Sequence, residues 1–408
     1  MTDSAVDPSV SADLPRSARP ELTIVGVEPI LIDQFLLVEV HTDVGIVGIG
    51  ESGAWGHLEA SAAAVRKFAD YLVGKDATLI EHHWNVMHRF SHFRGTAIMG
   101  AISAIDIALW DIRGKQLGVP VHGLLGGKVR SSARVYGHVK AATREAMVSK
   151  CLALKERGYT AIGHLNPFLD EARNVPYFKS FARKIGDAVD TVAAVRDAIG
   201  PDVDMCIEVH RRLTPAEAIA FAREIEPYRP MFLEDPIRPD NYDAMAEVAS
   251  RTTIPIATGE RFMSLYEFQM LLARGGVKYV RASICVCGGL TAAKKIAALA
   301  EAHNVEVVPH NPLSPVCLAA SLQLDACIPN FAIQEYPTSS GSSDHSSETE
   351  IRGAAFVSDL PVLENGFLTI PDGPGIGVEL LPGAREAFPP IPRAVHMRPH
   401  VDGSVVEQ

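Results

Sequence analysis

No apolar run in the chain reaches the length that a membrane helix requires, no cluster of Lys and Arg stands out, and cysteine is scarce. Each shortage excludes something. The first argues against a spanning segment and hence a membrane partner. With 38 basic against 49 acidic residues, a formal charge of −11, nucleic acid is not an expected partner, and a small anionic substrate would need a local cation to bind. The six cysteines, Cys151, Cys206, Cys285, Cys287, Cys317 and Cys327, are scattered through apolar stretches with no secretory signal ahead of them. Reduced thiols in a cytoplasmic protein are therefore expected. Cys285 and Cys287 form a C-x-C pair, but two thiolates make an incomplete zinc site, and a buried structural role is the expectation.

What is present is ample for two domains: 408 residues, 47% of them hydrophobic. Residues 1–20 mix Ser, Asp, Pro and Ala without periodicity and are expected to form a disordered tail rather than a targeting peptide. From LTIVGVEPILIDQFLLVEVHTDVGIVGIGE onward, strand-length apolar runs separated by turns predict a β-meander, followed by helical spacing in LEASAAAVRKFADYLVG and GAISAIDIALWDIRGKQLG. An α+β domain over 21–135 follows. Over 136–336 strands alternate with helices, the pattern of parallel α/β architecture. About eight strands can be counted, which a closed barrel explains better than an open doubly wound sheet. The Ser-rich SSGSSDHSSETE reads as a loop, Asn365-Gly366 as a hairpin turn within a return segment over 337–385 that packs on the first domain, and 386–408 as a poorly ordered tail.

Three acids organise the second region. Glu208 in MCIEVH, Glu234 in FLEDP and Glu260 in IATGER each close an apolar run, and each follows the last by 26 positions (208, 234, 260). That interval is one strand, one helix and two loops. Three successive parallel strands would deliver three carboxylates to one rim of the sheet. Such a group does not ionise together without a cation, and a hard divalent ion with oxygen ligands is the natural one. The expectation is a magnesium site at the mouth of a β/α barrel.

MCIEVH, FLEDP, ATGERF, VCGGLTAAKKIAALAE, VVPHNPLSP and LQLDA followed by FAIQEY resemble the barrel of the enolase superfamily in its acid-sugar dehydratase branch, and AISAIDIALWDIRGKQLGVPVHGLLGG resembles that superfamily's capping domain. The resemblance implies an α/β fold, a (β/α) barrel of modified TIM type with an α+β capping domain. It implies that Glu208, Glu234 and Glu260 bind one Mg²⁺ per subunit. The metal would chelate the carboxylate of an aldonate such as mannonate, galactonate or gluconate and stabilise the enediolate left when the α-proton is removed. Loss of the β-hydroxyl then gives a 2-keto-3-deoxy acid. Even-numbered homo-oligomers are also implied.

The resemblance assigns further roles. His210, two residues beyond Glu208 and so on the same side of an extended strand, would protonate the leaving hydroxyl. His310 in VVPHNP would take the α-proton, assisted in the relatives by an aspartate 27 residues earlier. Here that place is Ser283, which leaves the imidazole less basic. The second strand, AIGHLNP, has no lysine, which argues against the superfamily's racemases and cycloisomerases; His164 or Tyr177 are the substitute bases. Glu335 and Arg281 are expected at the substrate or beside the ligand carboxylates. Trp55, His57 and Arg94, on capping-domain loops, are expected at the substrate's far end. The missing base partners keep a low-activity protein that binds metal and acid sugar as the rival reading. Asp106-x-x-x-Trp110-Asp111 is expected to be domain packing.

Overall fold

The alternation of apolar residues near the start of the chain folds as it reads. In the computed structural model, which describes residues 21–169, 174–337 and 351–407, strands β1 (Ile24–Ile32), β2 (Phe35–Thr42) and β3 (Val47–Ser52) form an antiparallel meander in that order. Helices α1 (Leu58–Leu72), α2 (Ile80–Arg89) and α3 (Thr96–Leu117) follow. Helix α3 is buried on nearly every side, because its Ala- and Ile-rich faces lie between the meander and the second domain. It ends at Gly118 in the left-handed conformation, and the short α4 (Val121–Leu124) leads out of the domain.

Eight parallel strands then alternate with helices. They are β4 (Ser132–His138), β5 (Ala161–Leu165), β6 (Asp204–Glu208), β7 (Phe232–Glu234), β8 (Ile256–Thr258), β9 (Tyr279–Val280), β10 (Glu306–Val307) and β11 (Gln334–Tyr336). Each pairs with the strand before it as far as β10, β11 pairs back to β4, and a bridge from Val307 to Phe331 closes the ring between β10 and β11. Between them run α5 (Arg144–Glu156), α6 (Phe181–Ile199), α7 (Pro215–Ile225), α8 (Tyr242–Ser250), α9 (Leu265–Leu272), α10 (Gly289–Ala302) and α11 (Pro315–Cys327). Tyr136, Ala161, Cys206, Phe232, Ala257, Val308 and Ile333 fill the barrel interior as a packed floor beneath the mouth. All six cysteines are buried free thiols. No helix among the described residues is long and apolar enough to cross a membrane.

The Ser-rich loop expectation falls on 338–350, outside the described residues. The hairpin turn at Asn365-Gly366 is present, both residues having positive φ, between β12 (Leu363–Glu364) and β13 (Phe367–Thr369). Strand β13 adds antiparallel to β4, so the hairpin joins the barrel, while Gly375, Ile376 and Glu379 return to the first domain at Val119, Asp111 and Lys115. After α12 (Ala384–Ala387), the final segment differs from the expected loose tail. Asp33 exchanges backbone bonds with Phe388 and Ile391, Tyr177 pairs with Pro399 and Val401, and Glu407 meets Arg238. Its Pro and charged residues find partners on other elements, which composition alone does not reveal.

Two buried acids of the first domain seat the N-termini of barrel helices. Asp106 accepts from Thr291 N at 3.0 Å at the start of α10, where Trp110 Nε1 also donates to Thr291 Oγ1 at 2.9 Å. Glu51 accepts from Ser314 Oγ at 2.6 Å and Cys317 N at 3.0 Å at the start of α11. Anions are favoured there by the unpaired N–H groups. Burial nevertheless pushes both carboxyls up to about 7. The folded protein thus keeps two protons that the unfolded chain releases near pH 4, so their contribution is fully present below pH 4 and lost as pH rises through 7. The melting temperature is expected to fall between pH 5.5 and 8, and less so in Glu51→Gln. Equal slopes in the two proteins would contradict this.

Candidate active site at the barrel mouth

Strands β6 and β7 run in register with Glu208 opposite Glu234, which places two carboxylates side by side at the strand ends. The third arrives differently. In the next pair Glu234 faces Ala257, and Glu260 lies three residues beyond it, past the end of β8. Gly259, at φ +132, turns the chain so that Glu260 swings back to the other two; a Cβ there would also strike the Phe268 ring at 2.6 Å. Carboxylate oxygens of the three residues lie within 4.8 Å of one another, with Glu208 and Glu234 only 2% exposed.

Three oxygen-donor side chains gathered this closely fit a hard divalent cation. Their electrostatics agree with the chemistry of such a donor set. Burial, then Glu234 and Glu260, hold the Glu208 carboxyl well above the usual range, and burial pushes Glu234 up to about 8 against the opposing pull of Arg281. Burial also raises Glu260, but His310 and Arg211 outweigh it and hold that group at about 2. The triad therefore carries fewer than three charges by itself.

Cations frame it. Arg211 Nη1 donates to Glu260 at 2.6 Å, and Arg281, 1% exposed, donates to Glu234 at 2.5 Å and to Glu335 at 2.6 Å. His310 Nε2 lies 3.3 Å from Glu260. Its Nδ1 is buried with no hydrogen-bond partner, as is the Ser283 hydroxyl. Ser283, in the place of the relatives' aspartate, therefore does not bond the imidazole. His210 follows Glu208 with positive φ; its backbone N–H donates to Glu208 at 2.5 Å and its Nε2 accepts from Arg211 at 2.8 Å. Burial and Arg211 push the ring down to about 3, so it is neutral, and an acid role requires an anionic substrate to draw that value upward.

On the other flank of the triad, His164 at the end of β5 stacks on His138 with centroids 4.7 Å apart, and it meets His210 edge-on at 6.1 Å. Glu335, in the middle of β11, accepts from His138 at 2.8 Å and from the Asn311 N–H at 2.7 Å. Sequence reading missed His138, Arg211 and Asp235, which accepts from Arg211 Nη1 at 3.4 Å and from Thr258 Oγ1 at 2.5 Å. Arg211 and Asp235 directly follow residues that it did single out, and both have positive φ, a mark of strained strand ends that no sequence pattern displays.

The remaining candidates stand farther out. Tyr177 packs against Arg398 and His400 and lines a cavity of about 600 Å³ that also includes Arg212 and Thr214. Trp55 is 41% exposed with Arg393 stacked on its ring at 4.2 Å, although its loop is seated on the barrel through Gly53 N to Cys285 O. His57 and Arg94 are exposed.

Fold and site together define a capped parallel β/α barrel with a three-carboxylate centre at its mouth. Residues 146–384 match the enolase C-terminal domain-like family, and residues 16–126 match the mandelate racemase / muconate lactonizing enzyme N-terminal domain. The chain belongs to the enolase superfamily. It is 36% identical to the D-galactonate dehydratase of Verminephrobacter eiseniae over 95% of this chain and 99% of that one. Among solved structures, an enolase from Pantoea ananatis with bound D-gluconate and Mg superposes with TM-score 0.85 at 28% identity, covering 95% of this chain and 100% of that one. A member of the enolase superfamily from Salmonella Typhimurium gives 0.82 at 30% identity, covering 91% and 99%.

Proposed function

We propose that the protein is a Mg²⁺-dependent dehydratase of an acid sugar, an aldonate such as galactonate, gluconate or mannonate. The observation that carries this reading is the buried carboxylate triad at the ends of neighbouring strands, flanked by imidazoles on both sides. Relatives named D-galactonate dehydratase over nearly the whole chain support the substrate class. Magnesium, held by Glu208, Glu234 and Glu260, would neutralise the charge that develops on the substrate carboxylate. The chain's own groups do the rest. A ring nitrogen of His164 or His310, each flanking the triad, accepts the proton from C2. His210 donates a proton to the hydroxyl leaving C3, so that water departs and the resulting enol tautomerises to a 2-keto-3-deoxy acid. Arg281 fixes Glu234 and Glu335 in place around the substrate. The outlying Tyr177, Trp55, His57 and Arg94 would at most meet the sugar's distal hydroxyls. The same reading places the enzyme in the cytoplasm, consistent with six unpaired thiols, and in a homo-oligomer, which sedimentation would test.

A panel of aldonates and aldarates, assayed for 2-keto acid with and without Mg²⁺, tests the proposal. Metal-dependent product from at least one acid sugar is expected. A panel that yields none while calorimetry reports a filled metal site would favour a protein that only binds.

A further inference from the structure

The end of β5 is built in a way that the metal site does not require. The register between β5 and β6 shifts between Ile162 and Leu165, and His164 sits in that irregularity with φ +48, a conformation that a non-glycine residue keeps only when its surroundings enforce it. Those surroundings are visible. A Cβ at Gly163 would lie 2.1 Å from the Tyr136 ring, so glycine there admits that ring. Tyr136, His138 and His164 then form a column of near-parallel rings, with interplanar angles of 19° and 17°. His138 is buried at the end of β4 and hydrogen-bonded through Nε2 to Glu335 Oε1 at 2.8 Å. Glu335 is in turn fixed by Arg281 and by the Asn311 N–H.

We infer that His164 is the base that accepts the C2 proton, and that His138, stacked on it and bonded to Glu335, is the positioning residue that makes it one. The inference rests on the dehydratase reading above and deepens it. In the step concerned the C2–H bond breaks, its electron pair stays on the substrate, and the proton moves to a ring nitrogen of His164. The imidazolium so formed lies over the face of His138. Because His138 donates Nε2–H to a carboxylate, its ring carries extra negative potential, and a cation over such a face is attracted to it. His310 faces Glu260 through Nε2 at 3.3 Å, a carboxylate that a bound metal would claim, and its Nδ1 has no partner.

The charged and titratable groups around His164 are His138 and Lys140 from the first strand, His210 beyond the third and Glu335 from the eighth. Burial holds His164 well below its ordinary value and lowers His138 too, so both rings are neutral: His164 is ready to accept a proton, and His138 adds no like charge against the imidazolium. Glu335 acts in the opposite direction on both.

The test uses the full-length enzyme with Mg²⁺ and D-galactonate or D-gluconate, following C2 proton exchange in deuterated water and the pH profile of kcat. His164→Ala is expected to lose exchange about 100-fold or more. In His138→Phe, which keeps a ring but cannot donate to Glu335, kcat falls about tenfold and the acidic limb moves to lower pH by about one unit, because the imidazolium loses its support. His138→Gln, which restores a donor to Glu335 but no ring, covers the case in which the larger Phe fails to fold; its limb also moves down. A merely structural role would lower kcat with the limb unmoved, and that result overturns the inference. So does undiminished exchange in His164→Ala. A second equivalent of divalent metal, bound by the wild type and absent in the His138 variants, would overturn it by making His138, His164 and Glu335 a ligand set, since these three also lie within 4.8 Å. Wild-type enzyme inert towards every acid sugar would instead sink the dehydratase reading, and this inference with it.

Discussion

Glu234→Gln is expected to abolish Mg²⁺ binding and to reduce turnover by at least about 1,000-fold, the equivalent of several kcal/mol of charge stabilisation at the reacting carboxylate. The substitution keeps the shape of the side chain and its contact with Arg281, so a loss of this size reports the missing charge rather than a collapsed mouth. The wild-type site carries a second signature. Glu234, at about 8, is protonated near neutral pH when no cation is present, and burial biases Glu208 towards its protonated form as well. A metal that needs their carboxylate forms displaces those protons. Apparent affinity should therefore rise with pH up to about 8, and calorimetry in buffers of different ionisation enthalpy should detect proton release. Binding without proton release, or unchanged affinity in the variant, would show that the triad is not the ligand set.

Arg281→Met is expected to lower unfolding free energy by about 3–5 kcal/mol, a large share of a domain's stability. The guanidinium donates to Glu234, Glu335, Val308 O and Pro309 O, and it is almost wholly removed from water. Removing it strands the ionised Glu335 and leaves an oxygen of Glu234 and two backbone carbonyls without that donor on the barrel's inner wall. Lysine does not repair the defect, because a single ammonium group lacks the fork that spans two acids at once. Denaturant titrations of wild type, Arg281→Met and Arg281→Lys measure the effect. A shift below about 1 kcal/mol for the methionine variant would mean that Glu234 and Glu335 neutralise by taking up protons at little cost.

Much of the architecture was legible because strand and helix periods differ and the chain keeps them apart. The eight barrel strands each end an apolar run, and the 26-residue interval of the glutamates placed them on one rim. The strands came out shorter than their apolar runs, as at β8, where Ile256–Thr258 stop before Glu260 because Gly259 leaves the extended conformation. Helix α6 buries Ile185, Ala188, Val192 and Val195, which repeat at helical spacing. The final segment was misjudged because Pro and charge look alike in a solvated tail and in a strap whose partners, Asp33, Tyr177 and Arg238, are distant in sequence.

The site divides in the same way. The sequence by itself determined the fold class, the acidic triad and the imidazoles near it, since each depends on residue type and spacing along neighbouring strands. Only the tertiary structure decided which groups work together. It paired His138 with Glu335 across the closure of the barrel, 197 residues apart, and left Ser283 and His310 without the bond that their positions invited. It also spanned Glu234 and Glu335 with one buried arginine. Barrel closure is the physical reason: bringing the eighth strand beside the first creates contacts that no local period encodes, and the protonation state of every acid and imidazole at the mouth depends on those contacts.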